Sequence, residues 1–297
     1  MKTINVVIPA YNEEKNIKRC IDSVLSQELS EVSLFITVVD DCSSDNTKNI
    51  VKSLENKNLI LISNERNLGR GGSINIGASM INSDLLYFID ADCYFSNNEC
   101  IRNMLLELEK KKSDICIGDV FAAGNSFWDK YYNYSRSQKS SEEKWCSANL
   151  LIKKDIFFDV DGFDSAYEKY GFEDRDLIYT CFNKGRVVVF TNECKVYTFC
   201  DYNDDDVFDK MFTAGNSSAS IFMSKFGDIY KKTNYYKIHY RNRKIDILFL
   251  IIARFKKIIR FLFELKWPFC IKSKIANLLL LIYYFEGTYC SKKAFFD

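Results

Sequence analysis

The chain has 297 residues, 47% of them hydrophobic, with 12 Gly, 2 Pro and 11 Cys. That size and apolar content suit one large domain, or a domain with an appendage, and exclude a disordered, collagenous or small disulfide-framed protein. Its 41 Lys and Arg against 40 Asp and Glu are unevenly spread: residues 226–297 hold 15 cations and 5 acids, a net of +10, which leaves residues 1–225 at −9. Such asymmetry predicts two segments, 1–225 and 226–297, the basic one facing an anionic partner, membrane or nucleic acid.

Met1 runs at once into a strand-like apolar segment without a cleavable leader, which predicts a cytoplasmic address. Short apolar runs at Ile4–Ile8, Leu34–Val39, Leu59–Ile62, Leu85–Ile89 and Ile115–Ile117 read as strands. Between them lie helical patterns at Glu13–Ser26, Asp45–Glu55, Gly71–Asn82 and Asn98–Lys112, two of them opened by the capping residues Asp45 and Asn98. Strict alternation of this kind predicts an α/β fold, a mainly parallel sheet with helices on both faces. Ligands of such sheets bind beyond the carboxyl ends of the strands.

Those ends are polar. Ile8 is followed by Pro9-Ala10-Tyr11-Asn12-Glu13-Glu14, Val39 by Asp40-Asp41-Cys42-Ser43-Ser44-Asp45, Ile62 by Ser63-Asn64-Glu65-Arg66-Asn67, and Ile89 by Asp90-Ala91-Asp92. Any one cluster is ordinary turn chemistry. Four on one sheet edge, two of them rich in acids, point to a site. Asp90 and Asp92, at i and i+2 on an extended segment, would project to one side and offer hard oxygen donors to Mg²⁺ or Mn²⁺. The 11 Cys lack any C-x-x-C spacing and read as reduced thiols, and the single His is His239. Catalysis therefore falls to carboxylates, hydroxyls, cations and a metal ion.

The ordered stretches IPAYNEE, VVDDCSSDNT, NLGRGGSINIGA, FIDADCYF, SANLLIKKDIFFDVDGFD and GFEDRDL, over residues 3–225, resemble a family 2 glycosyltransferase of the GT-A (Rossmann-like) fold. The resemblance implies inverting transfer of a sugar from a UDP- or GDP-sugar to a hydroxyl of a saccharide or lipid-linked acceptor, in surface polysaccharide or glycoconjugate synthesis. It implies nucleotide contacts from Pro9, Ala10, Tyr11, Glu13, Asp41, Arg70 and Asp90. Asp92 becomes the principal ligand of a divalent cation, with Asp90 on the ribose or assisting the metal. Asp174 becomes the base that takes the acceptor proton and Glu173 its acceptor-binding neighbour. Trp145, Asn149 and Asp164 fall on the sugar and acceptor side. The Asn67–Gly72 run resembles a phosphate loop, and read alone it is equally a turn into a helix. Glu173–Asp176 read alone is a charged helix start.

One departure stands out. Relatives often place a His metal ligand after the Glu-Asp pair, where this chain reads Val196-Tyr197-Thr198-Phe199-Cys200-Asp201. Asp201, water or phosphate then completes the metal shell, or binding is weak. In the basic segment, Ile247, Leu248, Ile251, Ile252, Phe255, Ile258, Ile259, Leu262 and Phe263 fall on one arc of a helix ended by Pro268. Arg254, Lys256, Lys257, Arg260 and Glu264 lie opposite, interrupted by Phe249, Leu250 and Phe261. That run and Ile275–Phe285 are too short to span a bilayer. They predict an amphipathic extension that lies on the inner face of an anionic membrane or packs as a lid, with no nucleic acid expected. Asn203–Asp206 reads as a helix-capping loop. The competing functions are a non-catalytic nucleotide-sugar-binding assembly protein and a sugar nucleotidyltransferase.

Overall fold

The computed structural model describes residues 2–199, 203–239 and 243–293. The chain forms two compact units, residues 1–165 with 177–200, and residues 166–176 with 201–297. The boundary at 225 read from the charge thus falls inside the second unit.

The first unit is built on eight strands: β1 (Lys2–Ala10), β2 (Val32–Asp40), β3 (Leu59–Ser63), β4 (Leu85–Ile89), β5 (Cys93–Phe95), β6 (Ile115–Ala122), β7 (Asn149–Lys153) and β8 (Val188–Thr198). They form one sheet in the order β3-β2-β1-β4-β7-β6-β8-β5. The half from β3 to β4 is parallel. β7 runs antiparallel to β4 and β6, and β5 antiparallel to β8, so the sheet as a whole is mixed. Its helices are α1 (Ile17–Leu25), α2 (Thr47–Ser53), α3 (Gly69–Ser79), α4 (Cys100–Lys110), α5 (Phe127–Ser137) and α6 (Lys154–Asp159), followed by α7 (Glu173–Asn183), whose first turn belongs to the second unit.

The side-chain alternation of a strand divides the core. Ile4, Val6 and Ile8 of β1 and Leu85, Tyr87 and Ile89 of β4 join Ile17, Ile21 and Val24 of α1 on one face. Val7, Leu86 and Phe88 join Ile74 and Ala78 of α3 on the other. All of these except Leu85 are 0% exposed, and each large side chain so buried contributes roughly 1.5–3 kcal/mol. α3 approaches β1 and β2 closely enough that a Cβ on Gly77 would lie 2.5 Å from Val7 and 2.9 Å from Val39.

Helix starts differ from the sequence reading. α1 begins at Ile17 because residues 13–16 close a turn, Ile17 N donating to Glu13 O at 2.9 Å. Asp45 does accept from Thr47 N at 3.0 Å, but α4 is entered through Asn97, which accepts from Glu99 N, while Asn98 donates to Glu28. The ten described cysteines are free thiols.

The second unit is helical: α8 (Asp204–Thr213), a π-helical turn (Ala214–Ser218), α9 (Ala219–Tyr230), α10 (Asn234–His239), α11 (Arg243–Arg254), α12 (Lys256–Glu264) and α13 (Phe269–Lys293). Asn203 and Asp206 form a reciprocal capping box on α8, the role their sequence predicts. Phe208 stacks on Tyr283 with ring centroids 4.8 Å apart. The single helix expected over 247–263 is two, because Phe255 leaves helical geometry between α11 and α12. Among the described residues no helix is long and apolar enough to cross a membrane.

Candidate active site

β1, β2 and β3 end in register, Ala10 opposite Asp40 and Asp40 opposite Ser63, and β4 runs parallel beside β1. The four polar clusters therefore do share one edge of the sheet. Asp41 N donates to Ala10 O at 2.8 Å and Asn64 N to Asp40 O at 2.8 Å, so neighbouring clusters are tied to one another. At the end of β1, Pro9 and Ala10 are buried, and after it Tyr11 turns outward, 52% exposed. Glu13 N donates to Thr47 Oγ1 at 2.7 Å and Asn12 N to Ser43 Oγ at 2.9 Å.

Asp41 is 3% exposed, and its Oδ1 accepts from Asn64 Nδ2 and from Leu68 N, both at 2.8 Å. It braces the segment that leads into α3. The Asn67–Gly72 run is not an extended phosphate loop: residues from Gly69 onward are already helical, and a Cβ on Gly71 would lie 3.0 Å from Phe163. Close packing accounts for that glycine. The same turn of α3 aims Arg70 at Asp90, with Nε 2.7 Å and Nη2 2.6 Å from Oδ1, while Nη1 donates to Ser147 Oγ at 2.7 Å.

Asp90 and Asp92 stand on a tight turn, not an extended segment, closed by Cys93 N donating to Asp90 O at 2.9 Å. Asp90 faces Arg70, whereas Asp92 Oδ2 accepts from Thr198 Oγ1 at 2.9 Å. Both carboxylates still act on one neighbourhood. Burial first, then Asp92 and Asp90, push the Cys20 and Cys93 thiols up. Burial raises the Glu13 carboxyl to about 7 against a bond from Asn16, and Asp92, Asp90 and Asp45 add to the rise. A cluster of acids crowded enough to raise the pKa of one of them to about 7 suits a cationic guest.

Among the described residues no group of three or more His, Cys, Asp and Glu is gathered as for a metal ion. Two carboxylates are nevertheless the usual protein share for Mg²⁺, whose remaining ligands are water and substrate phosphate, so Asp92 and Asp90 fit a divalent cation. Asp201 and the side chain of His239 lie outside the described parts. Thr198, on the stretch where relatives often carry His, orients Asp92 instead. Sequence reasoning missed Thr198 and Ser147. Their signal was only a hydroxyl at the end of β8 and another just before β7, and their partners lie 106 and 77 residues away.

On the expected sugar side the outcome is divided. Asn149 is 0% exposed and bonded to Tyr87 Oη, Asp119 O and Cys194 O, so it belongs to the core and not to an acceptor surface. Trp145 is half-buried against the rings of Tyr179 and Phe182. Asp164 follows the Asp161-Gly162 turn, where Asn75 holds Phe163 by two backbone bonds of 2.9 and 2.8 Å. Glu173 and Asp174 lie in the second unit at the head of α7, where Glu173 Oε2 accepts from Gly171 N at 2.8 Å. Asp176 is spent on structure, accepting from Tyr167 Oη and pairing with Lys225.

The family model described as glycosyl transferase family 2 matches residues 5–175. The chain belongs to that family. Among its relatives, Staphylococcus aureus poly(ribitol-phosphate) β-N-acetylglucosaminyltransferase TarS is 31% identical over 119 residues, 39% of this chain and 21% of TarS. Haloferax volcanii glycosyltransferase AglE is 27% identical over 169 residues, 54% of this chain and 55% of AglE. The chain thus spans a fifth to about half of these relatives. Two solved structures of GT-A enzymes share the fold. Residues 1–349 of S. aureus TarS, crystallised with UDP-GlcNAc, superpose with a TM-score of 0.58 at 16% identity, covering 99% of this chain and 92% of that one. Pyrobaculum calidifontis mannosyltransferase PcManGT, in complex with GDP-Man and Mn²⁺, gives 0.66 at 13% identity over 96% and 87%. The family 2 member described here therefore has an α/β GT-A unit and a helical second unit.

Proposed function

We propose that this chain transfers a sugar from a UDP- or GDP-sugar to a hydroxyl of a saccharide or lipid-linked acceptor, with inversion, in the synthesis of a surface polysaccharide or glycoconjugate. The observation that carries this reading is the acidic turn Asp90-Ala91-Asp92 beside Arg70, on the edge where β1, β2 and β3 end. Exposed Tyr11 offers a face on which the nucleotide base stacks, over a floor of Pro9, Ala10 and Glu13 walled by Asp41.

Asp92, oriented by Thr198, and Asp90 would hold a divalent cation, Mn²⁺ or Mg²⁺. Bound there, it offsets negative charge on the departing diphosphate. Arg70 turns one of its N–H donors from Asp90 to that diphosphate as the donor enters. Asp174 takes the proton of the acceptor hydroxyl while its oxygen attacks the anomeric carbon. The bond from that carbon to the diphosphate oxygen breaks, and the nucleoside diphosphate leaves from the opposite side. Glu173 binds the acceptor, and Trp145 and Asp164 flank the sugar. The second unit meets an anionic membrane on its cytoplasmic face, where a lipid-linked acceptor is presented.

The test is nucleotide release from a panel of UDP- and GDP-sugars with Mg²⁺ or Mn²⁺. Release from one donor class is expected to require the cation, to vanish in Asp92→Ala and to fall by about 10²–10⁴ in Asp174→Asn. Equal rates in wild type and both variants would refute the assignment.

A further inference from the structure

The corner between α12 and α13 exposes an apolar surface. From Phe261 to Ile271 every residue except Phe263 is exposed, and Phe261 is the most exposed large apolar side chain among the described residues at 61%. Phe255 and Ile258 continue the surface along α12. Phe263 of the apolar arc is buried, and Phe261, which interrupts the cationic side of that arc in the sequence, is exposed.

The helix is already seated without these side chains. Phe263 is buried edge-on against Phe208, with ring centroids 6.0 Å apart. Arg260 pairs with Asp205 and Lys256 with Glu286, each at 2.6 Å. The exposed Phe261 takes no part in those contacts, and a contiguous exposed patch of this kind marks an interaction surface.

Its charge and its tryptophan narrow the partner. Residues 254–274 contain seven Lys and Arg and one acid, Glu264. Lys257, Lys266 and Lys274 are exposed and make no ion pair among the described residues. A second copy of the chain would set this cationic rim against itself, at a repulsive cost. The Trp267 indole N–H donates to Leu262 O at 2.7 Å, so the ring can enter an apolar phase with its only donor satisfied. Aromatic rings of this type favour the boundary between hydrocarbon and head groups.

We propose that the α12–α13 corner is an in-plane docking surface for a bilayer of anionic phospholipid. Phe261, Leu265, Trp267 and Ile271 enter the acyl boundary, and Lys257, Lys266 and Lys274 meet head-group phosphates. The proposal gives the membrane part of the proposed function its residues and rests on that part alone. The experiment is co-sedimentation of the full chain with phosphatidylcholine vesicles, with and without phosphatidylglycerol, alongside solution mass and cation-dependent nucleotide release. Wild type binds the anionic vesicles and prefers them to neutral ones. Phe261→Glu/Trp267→Glu loses roughly 100-fold or more in binding, and Lys257→Gln/Lys266→Gln/Lys274→Gln loses about 100-fold, about fivefold per cation. Both variants keep wild-type circular dichroism, solution mass and nucleotide release in lipid-free buffer. Three outcomes overturn the proposal: no vesicle binding by wild type, wild-type binding by either variant, or an oligomer that the apolar variant dissociates while vesicle binding persists. A failure of nucleotide release with vesicle binding intact counts against the glycosyltransferase reading and leaves the docking surface standing.

Discussion

Glu13→Gln isolates the electrostatics of the donor edge. Burial, followed by Asp92, Asp90 and Asp45, raises the Glu13 carboxyl from 4.5 to about 7 despite the bond from Asn16. Below pH 4.5 the folded and unfolded chains both carry this proton and no penalty arises. Between 4.5 and 7 the unfolded chain loses it while the folded chain keeps it, so stability falls as pH rises and levels off above 7. The ceiling of that loss is about 3 kcal/mol, and screening by water at a partly exposed side chain leaves about 1 kcal/mol. Glutamine removes the ionisation and still accepts from Asn16 through Oε1. Urea unfolding at a series of pH values is expected to give equal stability for variant and wild type near pH 4.5. At pH 8 the variant should be more stable by about 1 kcal/mol. A difference that does not change with pH, or a variant less stable at pH 8, would refute the reasoning.

Two further substitutions test the scaffold that carries the site. Gly77→Ala places a methyl 2.5 Å from Val7 and 2.9 Å from Val39, and is expected to cost about 1–3 kcal/mol in urea unfolding with the slope unchanged. Arg136→Met strips the guanidinium that lies 2.5 Å from the buried Asp119, leaving only Lys144 at 3.4 Å. It is expected to cost about 3 kcal/mol or more, and Asp119→Leu/Arg136→Met less than that, because the buried carboxylate goes with its guanidinium and only Lys144, whose side chain is 17% exposed, loses a partner.

The parallel half of the sheet was legible because strands buried on both faces read as unbroken apolar runs. Leu85–Ile89 was read to the residue, and the neighbouring runs fell inside longer strands whose ends, such as Asp40, are polar. That alternation also placed the polar clusters on one edge. Local detail was less legible, since a capping role passes between adjacent polar residues at little cost, as from Asn98 to Asn97. Asn149 failed for a different reason. Nothing beside it in sequence reveals that Tyr87 and Cys194, 62 and 45 residues away, enclose it. In the second unit a single departure from helical geometry at Phe255 resets the phase of the following turn. A periodicity carried through that point therefore read one helix where there are two, α11 and α12.

The central claim is that the turn bearing Asp90 and Asp92 holds the donor's diphosphate together with its cation. Calorimetric titration of UDP and of GDP into the full chain, with Mn²⁺ and with a chelator, for wild type and Asp92→Asn, tests it most directly. The account predicts that wild type binds one of the two nucleotides in the presence of Mn²⁺. That affinity should drop at least about tenfold on chelation and by a similar factor in Asp92→Asn. Binding of equal strength under all these conditions would contradict it.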